Sequence, residues 1–223
     1  MSIKIENTEV IGWEHAIRGM RNPMNSWAGS DSGYCGGDNH IGCVHCHFAG
    51  DEEHNEKMTA TDFTYGYNIS PCGKKEFTGE YEIGHKDYEL MKKLCKAGTD
   101  HRKFMRMITV YVDVTAPLYW YKEYDTYKIG TVANSCSTMH KIAAKEFTFD
   151  DFSHEHLNSH SEMVLGDVIK VLNVEREHYL KSNDKNSWWQ MIQLLPSSYN
   201  QRRTLMLNYE VLANIYKSRR GHK

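Results

Sequence analysis

One stretch of the chain alternates between apolar and polar residues in the way that a half-buried β-strand does. In "MITVYVDVTA", every second residue is apolar and β-branched: Ile108, Val110, Val112 and Val114. Successive side chains of a strand point to opposite faces, so these four share one face, and β-branched residues favour the extended backbone. The pattern predicts a strand that ends at Ala116-Pro117.

Two stretches before this strand carry apolar residues at helical spacing instead. "WEHAIRGMRNPMNSW" predicts a helix that stops at Asn22-Pro23, because a proline restricts the backbone of the residue before it. "HKDYELMKKLCKAG" predicts a second helix, for which Gly98 is the expected C-terminal cap.

The last third of the sequence is predicted to be mostly helical. Ser153 is expected to cap a helix entered by "DDFSHEHL". "SEMVLGDVIKVLNVEREHYLKS" predicts a helix with one apolar stripe, made of Val164, Leu165, Val168, Val171 and Leu172. "SWWQMIQLLP" predicts a helix that ends at Pro196. In the closing stretch, which starts at Tyr199, one helical face is expected to carry Leu205, Asn208, Leu212, Ile215 and Arg219. One clear strand among helices indicates an α/β or α+β fold.

Residues 28–84 have a different character from the rest of the chain. "AGSDSGYCGGDNHIGCVHCHFAGDEEHNEK" is rich in Gly, Asp, His and Cys and shows no period. We expect an inserted loop or small subdomain within a single domain that spans residues 1–223.

The cysteines of this insertion have the spacing of a zinc site. Cys43 and Cys46 form a Cys-x-x-Cys pair, and Cys35 and Cys72 complete a set of four tetrahedral ligands. A structural zinc would stabilise a segment that has few core-forming residues. The alternative is a loop with reduced thiols.

Composition narrows the function classes only slightly. The chain has 223 residues with 27 basic and 29 acidic side chains, which does not indicate electrostatic binding of nucleic acid. No apolar run approaches the roughly 20 residues that span a bilayer, and "MSIKIENTEV" lacks the pattern of a signal peptide. We therefore expect a cytoplasmic protein whose cysteines are thiols or metal ligands, with no membrane or nucleic-acid partner.

Two stretches carry spacings that are typical of a known enzyme family. In "APLYWYKEYDTYKIGTVANSCSTMH", Ala116-Pro117 is followed by Asn134-Ser135-Cys136-Ser137. In "LLPSSYNQRRTLMLNYEVLANIYKSR", Asn208 lies twelve residues after Pro196, Asn214 six residues later and Arg219 five residues after that.

Together these stretches resemble the flavin-dependent thymidylate synthases, the ThyX family. That family has Ala-Pro at a strand end, a helical Gln, Arg-His-Arg and then Asn-Glu-x-Ser-x-Arg-Tyr, and it has Leu-Pro, Asn, Asn and Arg at the second set of offsets. The resemblance implies a twisted, mostly antiparallel sheet flanked by helices, in a homo-oligomer that is usually a tetramer. It also implies bound FAD, NADPH and methylenetetrahydrofolate as co-substrates, and transfer of a one-carbon group to dUMP, giving dTMP.

The resemblance also implies roles for individual residues. Asn134 and Ser137 would orient the base at the catalytic position. Substrate binding is expected from Arg219, Glu123, Ser135 and Lys128, and cofactor binding from Asn208, Asn214 and Tyr127. Without the resemblance, Ser137 would be a turn residue that satisfies backbone groups, and the residues around Arg219 an ordinary polar helix face.

The chain departs from the family pattern at several charged positions. Thr126-Tyr127-Lys128, or Tyr127-Lys128-Ile129 if no gap is allowed, stands in place of Arg-His-Arg. Glu123 stands in place of Gln, Ser135 in place of Glu and Met139 in place of Arg. Guanidinium groups bind phosphate in a bidentate manner that Tyr and Met do not reproduce. The replacement charge is expected from basic residues that the sequence does not place: Lys122, Lys128, Lys141, Arg202 and Arg203. Two alternatives therefore stay open: a flavoenzyme of the same scaffold with another nucleotide substrate, and a non-catalytic binding protein with a zinc-stabilised insertion.

Overall fold

The computed structural model describes residues 3–34, 81–127 and 129–221. The four predicted zinc ligands, Cys35, Cys43, Cys46 and Cys72, and the predicted substrate ligand Lys128 lie outside these ranges. Within these ranges, no three or more His, Cys, Asp or Glu side chains are grouped to hold a metal ion. No helix in the same ranges is long and apolar enough to cross a membrane.

The described residues form a mixed α/β structure around one main sheet. The strands are β1 (Lys4–Ile11), β2 (Gly33–Tyr34), β3 (Tyr81–Glu82), β4 (Thr109–Pro117), β5 (Val132–Ser135) and β6 (Asn200–Asn208). Four of them make an antiparallel sheet in the order β1-β4-β6-β5, while β2 and β3 pair as a separate ribbon. The predicted fold class is confirmed.

Seven helices accompany the sheet in the described ranges. They are α1 (Trp13–Arg21), α2 (His85–Ala97), α3 (Leu118–Tyr124), α4 (Thr138–Lys141), α5 (Ser159–Ser182), α6 (Lys185–Leu194) and α7 (Tyr209–Arg219). The predicted ends of α1 and α2 are confirmed, since α1 stops one residue before Asn22 and Gly98 caps α2 with a positive φ of 110°.

The predicted strand is confirmed as β4. Its buried face consists of Val110, Val114 and Ala116, and Ile108 just before the strand is also fully buried. Proline at position 117 ends the strand, and α3 follows at once.

The helix predicted from Tyr199 onward is wrong over its first half. Residues 200–208 form strand β6, so Leu205 and Asn208 do not share a helical face with Arg219. Leu205 and Leu207 are buried at a period of two, and the next inward positions toward the N-terminus are Arg203 and Gln201. Polar residues at inward positions hid the alternation that would have indicated a strand.

The predicted cap at Ser153 is also wrong. Helix α5 begins at Ser159, and its cap is Asn158, whose side chain accepts a hydrogen bond from the backbone N–H of Ser161. The Ser153 hydroxyl instead donates to Glu155.

The described residues divide into two compact units. Those of the first fall within positions 1–10, 110–207 and 214–223, and those of the second within positions 11–109 and 208–213. In the first unit, α5 and α6 pack around an apolar cluster of buried side chains: Ile142, Ala143, Phe147, Phe152, Leu165, Ile169, Leu172 and Met191.

The second unit is organised around a buried ion pair. Arg21 at the end of α1 donates from Nε to Asp87 in α2 over 2.6 Å. The hydroxyls of Ser30 and Ser32 donate to the same carboxylate, each over 2.6 Å. Ser32 is directly followed by the β2–β3 ribbon, in which Gly33 pairs with Glu82 and Tyr34 with Tyr81.

Candidate functional site

Ser137 lies at the start of α4, beside a pocket of about 230 Å³. Its hydroxyl accepts the backbone N–H of His140 over 3.0 Å, so Ser137 caps this short helix. Three cationic side chains line the pocket: Lys141, Lys145 and Arg202. Lys145 is paired with Asp151 and Arg202 with Asp113. Among the described residues Lys141 has no ion-pair partner, so it is the lining cation available to a single anionic group.

Arg219 binds two other residues that the sequence singled out. Its NH2 donates to the Glu123 carboxylate over 2.7 Å, and its Nε donates to the Tyr127 hydroxyl over 3.0 Å. Glu123 belongs to α3, Tyr127 follows that helix, and Arg219 ends α7. The fold therefore brings together three predicted site residues that are distant in sequence.

Arg203 reaches the same segment from strand β6. Its guanidinium lies 3.8 Å from the centre of the Tyr121 ring, a cation–π contact, and its NH1 donates to Asp125 over 3.2 Å. Its Nε donates to Gln201. Arg203 and Arg219 thus hold residues 121–127 from two different elements, just before and within the positions where the family pattern has Arg-His-Arg.

The segment is anchored by a buried tyrosine. The single proton of the Tyr121 hydroxyl is shared between two carbonyl acceptors, that of Val114 at 2.6 Å and that of Gln201 at 3.1 Å. Burial raises the pKa of Tyr121 to about 12, so the ring stays neutral at physiological pH. Tyr121 and Tyr124 are both buried, which makes them core residues of the unit and not exposed stacking surfaces.

The two predicted site residues of strand β5 face opposite sides of the sheet. Ser135 pairs in register with Arg203, and Asn134 pairs with Thr204. Because residues directly opposite in an antiparallel pair share a face, Ser135 lies on the Arg203 side and Asn134 on the other. A ligand on one face of the sheet therefore meets only one of them directly.

The face that carries Asn134 also carries a network around Asp113. Asp113 accepts hydrogen bonds from Thr204 over 2.5 Å, from Asn7 over 2.8 Å and from Arg202 over 2.7 Å. These hydrogen bonds, that of Thr204 foremost, hold the pKa of Asp113 well below its usual range. The network ties β1, β4 and β6 together on that face.

The two predicted cofactor asparagines belong to different units. Asn208, in the second unit, ends β6, and its Oδ1 accepts the backbone N–H of Val211 over 3.0 Å, which caps α7. Asn214, in the first unit, lies on α7 itself. The geometry thus gives Asn208 a structural duty as a helix cap, and its cofactor role stays a prediction.

The comparisons with known proteins give a match at the level of structure only. No family model and no curated protein sequence matches the chain. A crystal structure of thymidylate synthase X (ThyX) from Helicobacter pylori with FAD and dUMP aligns over 98% of this chain and 84% of its own, at 12% identity and a TM-score of 0.57. The chain has the ThyX fold.

Two further structures were found. A second H. pylori ThyX structure, complexed with FAD and dUMP, aligns over 100% of this chain and 86% of its own, at 13% identity and a TM-score of 0.56. The UMP/dUMP methylase PolB from Streptomyces cacaoi, bound with 5-Br UMP, aligns over 57% of this chain and 62% of its own, at 15% identity and a TM-score of 0.42, too low to bear on the fold. Identities of this size describe a divergent chain with a shared ThyX architecture.

Arg203 is the residue that sequence reasoning placed least well. The sequence offers Arg203 only as one of several basic residues that could replace the missing arginines, and it gives no position for it. The signal that finds it is the register between β5 and β6, which puts it opposite Ser135. Because residues 200–208 are predicted from the sequence to be helical, the sequence analysis contains no strand pairing from which this register could be obtained.

Proposed function

We propose that this protein is a divergent ThyX-type flavoenzyme that transfers a one-carbon group to a pyrimidine nucleotide, with dUMP as the first substrate to test. The observation that carries the proposal is the convergence of Arg203 and Arg219 on residues 121–127. The family pattern has its Arg-His-Arg at the end of this segment, where this chain has no arginine. The ThyX fold, seen elsewhere with FAD and dUMP, supplies the context.

The two arginines fit a phosphate group. Each presents a planar guanidinium, and each now binds a carboxylate, Asp125 or Glu123, whose geometry resembles that of a phosphate edge. The side chain of Glu123 is 66% exposed, so a nucleotide phosphate can replace it on Arg219 at little cost in buried charge. Arg219 is thus the proposed phosphate ligand, and Arg203 the residue that holds the segment in position.

The base would lie toward Ser137 and its pocket. The Ser137 hydroxyl can donate a hydrogen bond to a base carbonyl while its oxygen keeps the N–H of His140. Ser135, on the same side of the sheet as Arg203, is a second hydroxyl for the nucleotide, and Asn134 would serve a ligand on the opposite face. Lys128 stays a proposed substrate ligand by position in the sequence.

The donor set of the site also fits an anionic dinucleotide such as FAD, because guanidinium and hydroxyl groups are the usual ligands of a diphosphate. Tyr127, Asn208 and Asn214 are the proposed flavin-binding residues. Bound FAD, reduced by NADPH and with methylenetetrahydrofolate as carbon donor, would supply the hydride and one-carbon chemistry that protein side chains lack. The residues of the chain would bind the nucleotide and the cofactor, orient them toward each other and exclude water from the site.

A second candidate is a flavoenzyme that acts on another pyrimidine nucleotide. It is favoured by Met139, which stands where the family pattern has Arg and whose carbonyl accepts the indole N–H of Trp188 over 3.0 Å. A neutral, apolar residue at that position removes a charge that a dUMP site would use.

We also propose that the chain forms a homo-oligomer. Helix α5 exposes an apolar face opposite its buried one, made of Met163, Val164, Val171 and Val174. Two copies can bury this face against each other, because a two-fold axis presents the same patch from both sides. Sedimentation equilibrium measures the assembly, and a monomer at micromolar concentration would contradict it.

The test measures flavin binding and nucleotide binding in separate assays. The absorption spectrum after FAD addition and removal of the excess reports cofactor binding, and thermal shifts with dUMP, UMP, dCMP and dTMP report substrate preference. Arg219→Ala should weaken nucleotide binding at least ten-fold, since it removes a charged, bidentate phosphate contact. Lys217→Ala, an exposed lysine in the same helical turn, is the matched control and should bind as the unchanged protein does.

Each outcome has one meaning. Flavin retention with dUMP preferred supports the first candidate, and flavin retention with another nucleotide preferred supports the second. A folded protein that retains neither flavin nor nucleotide contradicts both and favours a non-catalytic binding protein. Equal nucleotide affinities of the Arg219→Ala and Lys217→Ala variants would show that Arg219 is not the phosphate ligand.

A further inference from the structure

The first unit contains a second and larger cavity, of about 560 Å³, beside the candidate site. It lies among α4, the end of α5 and the start of α6. Its size is that of pockets that enclose a small organic ligand. Its aromatic and polar lining consists of His140, Tyr179, Asn183, Lys185, Trp188 and Trp189.

Aromatic rings make up much of the wall. Trp188 and Trp189 are in contact edge to face, with centroids 4.6 Å apart and planes at 70°. Trp188 is fixed by the hydrogen bond from its indole N–H to the Met139 carbonyl, while Trp189 is 46% exposed. With Tyr179 also lining the cavity, a flat ring can lie against aromatic side chains, and such contacts are favourable beyond the area that they bury.

The polar part of the wall is basic or neutral. Lys185 and His140 provide nitrogen atoms, and Asn183 provides an amide. Among the described residues that line the cavity there is no Asp or Glu, and no ion-pair partner of Lys185 is found in the described ranges. An anionic group in this cavity would therefore meet a cation and no like charge.

We propose that this cavity is a binding site for a small planar aromatic anion. The ring lies against Trp189, and the anionic group is held by Lys185 with help from His140. Neither the ThyX fold as such nor the roles proposed for Arg203 and Arg219 require the site. It therefore stands or falls independently of the proposed function.

The site shares a helix with the candidate nucleotide pocket. Met139 and His140 of α4 line the large cavity, whereas Thr138 and Lys141 line the pocket beside Ser137, and Ile142 lines both. A ligand in either one contacts the four-residue helix that Ser137 caps. Because coupling between two sites is reciprocal, occupation of the cavity should change nucleotide affinity by the same factor by which nucleotide changes affinity in the cavity.

Titration calorimetry with three naphthalene probes tests the proposal. The anion 1-naphthalenesulfonate should bind with one saturable site per chain. Neutral 1-naphthalenemethanol should bind more weakly, and 1-naphthylmethylammonium should bind weakest of the three. Trp189→Ala should weaken binding of the sulfonate about ten-fold through loss of a stacking surface. Lys185→Gln should weaken it about three-fold, because an exposed charge pair is worth little.

Two control variants make the result specific. Trp27→Ala removes a tryptophan that is 49% exposed in the other unit, and Arg219→Ala removes the proposed phosphate ligand. Both should bind 1-naphthalenesulfonate as the unchanged protein does. Equal binding of all three probes, or equal losses in Trp27→Ala and Trp189→Ala, would overturn the proposal. A loss in Arg219→Ala alone would place the anion in the nucleotide site instead.

Discussion

The carboxylate of Asp87 is expected to be the most sensitive single group for the stability of the second unit. Its side chain is fully buried, and it accepts hydrogen bonds from Arg21, Ser30 and Ser32, each over 2.6 Å. The backbone N–H of Asp31 donates to it as well, over 3.2 Å. Asp87→Asn keeps the shape of the side chain and removes its charge.

The magnitude follows from what the substitution leaves behind. Arg21 is only 7% exposed, so its guanidinium would stay buried without a counter-charge. Removing one partner of a buried ion pair costs about 3–5 kcal/mol, against a total of about 5–15 kcal/mol for a typical domain. The new amide nitrogen cannot accept from the two hydroxyls, which adds to the loss. We therefore expect Asp87→Asn to lower the free energy of unfolding by about 3–5 kcal/mol.

The same carboxylate predicts a dependence on pH. Burial alone would raise the pKa of Asp87, but the hydrogen bonds from Ser30, Ser32 and Arg21 outweigh burial and lower it. A carboxyl whose pKa is lower in the folded than in the unfolded state stabilises the fold above its unfolded value, about 3.9, and loses that contribution as the pH falls further. Stability should therefore decline below about pH 4, and less steeply in Asp87→Asn.

Urea unfolding at pH 7 and at pH 3 to 4, followed by circular dichroism, measures both effects. Glu177→Gln is the matched control, because Glu177 and its partner Lys181 are exposed, at 66% and 77%. Such a surface change should stay within about 0.5 kcal/mol. If Asp87→Asn cost no more than Glu177→Gln at pH 7, the buried ion pair would not be an anchor of this unit.

Two further predictions concern the first unit. Tyr121→Phe should lower the free energy of unfolding by about 1–2 kcal/mol, because two buried carbonyls lose a donor. Since burial raises the pKa of Tyr121 to about 12, alkaline unfolding should begin above about pH 10 and should shift in this variant; an unchanged alkaline transition would argue against it. Ser137→Ala should speed amide exchange at His140 by loss of the cap on α4, whereas Ser137→Asn, a good capping residue, should restore protection. Equal exchange in both Ser137 variants would contradict the capping role.

The elements that could be predicted are those whose apolar pattern agrees with their packing. Strand β4 alternates cleanly because one of its faces is buried. Strand β1 was not predicted. It is an edge strand next to β4 and most of its residues are exposed, so its sequence has no alternating apolar face. Helix α5 was predicted, but Val164 and Val171 of its expected apolar stripe are 49% and 47% exposed, because the buried face is formed by Leu165, Ile169 and Leu172 instead.

The candidate site could be predicted in its parts but not in its assembly. Glu123, Tyr127 and Arg219 were each singled out by motif position, and the structure joins them through hydrogen bonds. Asn134 and Ser135 were both expected at the substrate site, yet strand alternation sends their side chains to opposite faces of the sheet. A motif gives the order of residues along the chain, whereas the face on which each lies depends on pairing with a distant strand.

The position of Arg203 shows how the chain can lack a motif and still keep its charge. Residues 126–128 lack the family's two arginines, but β6 and α7 bring Arg203 and Arg219 to the residues just before and within that segment. Phosphate binding depends on the position of the guanidinium group in space and not on the helix or strand that carries it. If this relocation is functional, Arg203→Lys should impair nucleotide binding even though the charge is kept, because the flat stacking on Tyr121 and the paired donors are specific to arginine. Charge at this site would then be a property of the fold, and substitutions at 126–128 would be a poor guide to loss of function among chains of this architecture.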